Sequence, residues 1–89
     1  MDTKNKIRLD SQITANQYEL HDEKICVFDS QHSLIKSIDL PKETETICFY
    51  DMYYETDKLK VVVATRGFYD KKYILDEIQM CLVEDGYTK

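Results

Sequence analysis

The chain has 89 residues, 12 of them basic and 17 acidic, with a net charge of −5 and 43% hydrophobic content. That length bounds it to one small domain over 1–89, with enough apolar content for a core. The acidic balance and the lack of a long apolar run disfavour two partners, the nucleic-acid backbone and the membrane interior.

The ends, 1–6 and 87–89, are polar and are the expected place for disorder. Lys6 to Asp10 alternates around Ile7 and Leu9 and predicts a short strand. Tyr18-Glu19-Leu20 predicts a short edge strand, followed by a turn at His21-Asp22-Glu23. Lys24 to Asp29 is nearly continuous in apolar character, so it reads as a strand with both faces partly covered. After the polar break Ser30 to Ser33, Leu34 to Leu40 reads as the return strand, with Leu34, Ile38 and Leu40 on one face. Pro41 cannot donate to a ladder and ends it.

Ile47 to Tyr54 and Leu59 to Thr65 hold much of the aromatic and β-branched content and predict a second hairpin around Glu55 to Lys58. Cys48, Tyr50, Met52 and Tyr54 share an uncharged face, the expected core side. On the partner strand Leu59, Val61, Val63 and Thr65 fall together. Lys58 and Lys60 make the start of the other face a solvated one.

Lys72 to Asp85 reads two ways. As a helix, Ile74, Leu75, Ile78, Cys81 and Leu82 form a stripe, with Asp70 and Gly86 as caps. As a hairpin, Tyr73 to Leu75 and Met80 to Val83 are two strands. An internal comparison favours the hairpin. His21 to Asp29 resembles Tyr69 to Asp76, each reading Asp-x-Lys, an apolar run, then Asp. The offset is 48 residues at the first Asp and 47 at the last, and Leu34-Ile35 corresponds to Leu82-Val83.

Ile25 to Asp29, a polar turn, then Leu34 to Pro41 resembles the outer hairpin of a β-propeller blade, and Tyr69 to Val83 resembles a second, degenerate one. The chain has no Trp-Asp dipeptide, lacks a glycine in the Ser30 to Ser33 turn and is too short for a closed propeller. The resemblance implies architecture, not activity. The expected fold is mainly β, an antiparallel, blade-like sheet of hairpins. The alternative is α+β with a single C-terminal helix at about 70–85.

Chemical motifs are sparse. With only Gly67 and Gly86, there is no phosphate-binding loop. Cys26, Cys48 and Cys81 are odd in number and make no CxxC pair, against a secreted disulfide framework and for a cytoplasmic setting. With His21 and His32 they match no compact zinc spacing and no nucleophilic pair, so no metal, cofactor or catalytic residue is expected. The adjacent acids Asp22-Glu23, Asp76-Glu77 and Glu84-Asp85 read as solvated surface.

What remains is an aromatic group, Tyr50, Tyr53, Tyr54, Phe68, Tyr69 and Tyr73, part core and part surface. Tyr with Arg is the composition of interface hot spots. Tyr53, Arg66, Phe68 and Tyr69 are therefore the candidate binding residues. The expected role is a non-enzymatic protein-interaction module that binds through a sheet edge or this patch, with a homodimer among its assemblies. The alternative is a small acidic inhibitor or immunity-type protein that masks a basic site.

Overall fold

The apolar runs become eight strands in a computed structural model that describes residues 7–43, 45–67 and 69–87. They are β1 (Ile7–Asp10), β2 (Gln17–Leu20), β3 (Lys24–Phe28), β4 (Leu34–Asp39), β5 (Thr46–Glu55), β6 (Lys58–Thr65), β7 (Lys71–Asp76) and β8 (Cys81–Tyr87). They form two open antiparallel sheets, ordered β1-β2-β3-β4 and β5-β6-β7-β8. Tyr87 closes β8, while 1–6 and 88–89 lie outside the described residues.

The C-terminal segment is the hairpin and not the helix. Burial along β7 alternates with a period of two, which is the strand pattern. Ile78, placed on the stripe by the helical reading, is exposed in the turn. That turn needs no glycine, because Met80 itself takes a positive φ of 55°. His32 does the same in the β3–β4 turn, with φ 66°. An aspartate opens each turn. Asp29 Oδ1 accepts the N–H groups of Gln31 and Ser33, and Asp76 Oδ1 accepts those of Ile78 and Gln79.

Two face assignments and one edge assignment change, and bulges cause the first two. Strand β5 slips register against β6 twice, leaving Ile47 and Tyr50 as extra residues. Past the second slip the alternation reverses. Phe49 and Met52 are both buried, while Tyr50, expected in the core, is 61% exposed. In β4 the register slips at Ile35. Ile38 is buried, but Leu34 pairs with Phe28 on the other face and is 57% exposed. The third change is β2, which pairs on both sides and is not an edge. The edges are β1, β4, β5 and β8.

One core joins the sheets. Tyr18, Leu20, Ile25, Val27 and Ile38 come from the first, and Phe49, Met52, Leu59, Val61, Val63, Tyr73 and Leu75 from the second. Each fully buried aliphatic side chain contributes about 1.5–3 kcal/mol by leaving water. The outward face of the first sheet mixes the apolar pair Phe28 and Leu34 with polar side chains, Arg8 Nε lying 2.9 Å from Glu19 Oε2. A face packed on a core and a face in water is the usual antiparallel arrangement.

Candidate functional site

The expected patch does not form one cluster among the described residues. Arg66 follows β6 in an exposed turn, where its N–H donates to Glu45 O at 3.0 Å. Tyr69 is exposed nearby, and its carbonyl accepts the Thr65 hydroxyl at 2.9 Å. Tyr53 is opposite Lys60. Six residues of strand, about 20 Å, separate that row from Arg66. Phe68 lies outside the described residues.

Sequence reasoning missed the most connected polar group, Glu77. It sits in the β7–β8 turn, where an acid reads as solvated, yet it is only 7% exposed. Its Oε1 accepts the Ser11 hydroxyl at 2.6 Å, the Tyr18 hydroxyl at 2.8 Å and the Tyr54 hydroxyl at 2.9 Å. Tyr54 also reaches Oε2 at 2.9 Å and accepts the Gln12 N–H at 3.0 Å. Burial, then Glu77, pushes the Tyr18 hydroxyl well above the usual tyrosine range. Burial also raises Tyr54. A buried carboxylate needs such donors to offset its lost hydration. Three of them come from different parts of the chain, so Glu77 ties the first sheet to the second. No local pattern announces it, because its partners are 66, 59 and 23 residues away.

Two lysines are also held close. Lys60, expected in solvent, is 9% exposed, and its Nζ meets Asp85 Oδ2 at 2.6 Å. The Asp85 carboxyl is held below its usual range by that bond, and Lys60 is raised by it. Asp85 is in place because a bulge in β8 turns it toward the outward face. Lys71 Nζ lies 2.6 Å from both Glu43 Oε1 and Glu84 Oε2 and 5.7 Å from the centre of the Tyr73 ring.

Tyr73 leads to the most site-like feature. A groove of about 440 Å³ runs between the free edge strands of the two sheets. Lys36, Ser37, Ile38 and Asp39 of β4 line one wall, and Tyr73, Met80, Cys81 and Leu82 the other. Pro41 and Glu43 close one end. The Tyr73 hydroxyl is buried and meets no partner in hydrogen-bond geometry among the described residues, with the Lys71 ammonium acting on it. Burial raises its pKa, with Lys71 opposing. A buried donor left unpaired costs free energy, so such a group marks a place that a ligand acceptor would improve. Cys81 is exposed at the groove wall, whereas Cys26 is buried and Cys48 half-buried, its thiol raised by burial and by Asp22 and Asp70.

Among the described residues, no three His, Cys, Asp or Glu side chains gather as a metal site, and no helix is long and apolar enough to cross a membrane. Comparison with known proteins adds no assignment: no family model matches the chain, and no curated protein or solved structure matches it at a significant level.

Proposed function

We propose that the chain is a non-enzymatic protein-interaction module that binds an extended segment of a partner at a sheet edge, within the groove between β4 and β8. We also read each sheet as a blade-type unit. The identical strand order and the aspartate-opened outer hairpins support that.

The observation that carries the binding reading is the groove itself. It lies between two edge strands and is lined by Tyr73, whose buried hydroxyl lacks a partner among the described residues. An edge strand offers a row of backbone donors and acceptors, and adding a strand supplies affinity through main-chain bonds. Ile38, Met80 and Leu82 give apolar contact for alternate side chains of the added strand, and Lys36, Asp39 and Glu43 give a charged rim. Arg66 and Tyr69 form a separate surface at the other end of β6 and are the second docking candidate.

The test uses peptides selected from a displayed random library against the full chain. Cys81 carries an environment-sensitive dye in a Cys48→Ser background. Selected peptides are expected to shift the dye emission and to bind Tyr73→Phe at least tenfold more weakly. Peptides that leave the dye unchanged and bind Tyr73→Phe equally well would place recognition elsewhere and overturn the reading.

A further inference from the structure

Set at its closing aspartates, with an offset of 47 residues, the internal repeat pairs the faces of the two sheets. Asp29 and Asp76 open corresponding turns, each accepting two backbone N–H groups on Oδ1, the second turn being one residue longer up to its positive-φ residue. Setting one on the other places Phe28 on Leu75, Val27 on Ile74, Cys26 on Tyr73 and Ile25 on Lys72. Tyr73 and Leu75 face the shared core. Their counterparts Cys26 and Phe28 alternate with core residues Ile25 and Val27 and so lie on the outward face of the first sheet. By the same alternation, Lys72 and Ile74 lie on the outward face of the second. The sheets therefore pack front to back. The outward face of each corresponds to the face that the other buries.

Each outward face keeps apolar residues where its counterpart is core. The first carries Phe28 paired with exposed Leu34, and Leu34 corresponds to Leu82, which packs on the core. The second carries the cross-strand row Tyr53, Lys60, Ile74 and Val83, with Val83 49% exposed and Val62 in the next row. Glu19 on the first face is held by Arg8 and His21, and Lys60 on the second by Asp85 and Glu55, so the apolar side chains carry the match.

We propose that copies of this chain associate head to tail, the outward face of the second sheet in one copy covering the outward face of the first sheet in the next. This rests on the blade-type repeat and extends the packing already made within the chain. Such an interface is heterologous, so it closes into a ring or continues as a filament according to the angle between copies. It leaves the edges of β4 and β8 uncovered, so the groove recurs in every copy.

Leu34→Glu blocks the first face and Val83→Glu the second, and both positions are about half exposed, so neither substitution removes a core side chain. In multi-angle light scattering from micromolar to millimolar concentration, the wild type is expected to rise above the one-chain mass. Each variant alone stays at one chain. An equimolar mixture gives a species of twice that mass, because each variant contributes its one intact face. A wild type or mixture that stays at one chain overturns the proposal. So does a variant that alone associates like the wild type, since that requires one face to pair with itself. If a glutamate variant loses its sheet circular dichroism, Ser37→Arg and Tyr53→Arg block the same faces. Cross-strand nuclear Overhauser contacts in the monomeric variants read the repeat separately. Their presence without association rejects stacking alone, and their absence rejects the repeat as well.

Discussion

Tyr18 in β2 donates its hydroxyl to Glu77 in the β7–β8 turn at 2.8 Å, although 59 residues separate them in sequence. Tyr18 is fully buried, so the bond replaces water that the hydroxyl cannot reach. The same carboxylate takes Ser11 and Tyr54. It is a polar joint between the sheets, alongside the Phe49 N–H that donates to the Asp22 carbonyl at 2.8 Å.

Glu77→Ala leaves the Tyr18 hydroxyl buried and unpaired, so it is expected to cost about 2–3 kcal/mol in urea unfolding. Tyr18→Phe leaves the carboxylate with two donors and is expected to cost about 1–2 kcal/mol. Equal and negligible losses would mean that Glu77 is solvated and joins nothing.

The bulge at Tyr50 sets which β5 side chains are core. Phe49→Ala is expected to cost about 3–5 kcal/mol, as for a buried aromatic. Tyr50→Ala should stay within about 0.5 kcal/mol of the wild type, as for a surface position. The reverse order would restore the unbroken alternation and remove the bulge.

Thr56, in the β5–β6 turn, has a φ of 62°. A β-branched residue is poorly suited to that region, and asparagine tolerates it. Thr56→Asn is expected to raise stability by about 1 kcal/mol, read as a higher urea midpoint with an unchanged slope. A loss of stability would show that the threonine side chain makes contacts worth more than the backbone relief.

The Asp85 carboxyl is lowered in the fold by its bond to Lys60. A lowered pKa stabilises the fold above the ordinary carboxylate value, and the effect is lost as pH falls through the lowered value. The wild type should therefore exceed Asp85→Asn in stability at neutral pH, and the difference should vanish below the carboxylate range. Lys60 is raised, so its share is fully present below the ordinary lysine value and fades as pH climbs through the raised one. A pH-independent difference between the two proteins would exclude the ion pair as its source.

Strand content was legible in β3 and β6 because both are short, nearly continuous apolar runs. The Asp-to-Asp repeat also pointed to the hairpin that replaced the helix after Lys72. Sidedness in β4 and β5 was not legible. A bulge adds one residue without any sequence mark, and every later side chain changes face. The roles of Glu77 and Lys60 were hidden for a different reason. A charged residue in a turn or on a strand looks solvated until a distant partner covers it, and Tyr18 and Asp85 do so only in the folded chain. The patch placed Tyr53 beside Arg66 by composition, but the strand between them keeps them apart.

The account turns on the outward sheet faces being binding surfaces and not merely solvated ends. The most direct measurement is the mass of the wild-type chain by light scattering across a concentration series. The account predicts a mass that climbs from 10.6 kDa toward multiples of it as concentration rises. A mass fixed at one chain throughout would contradict it.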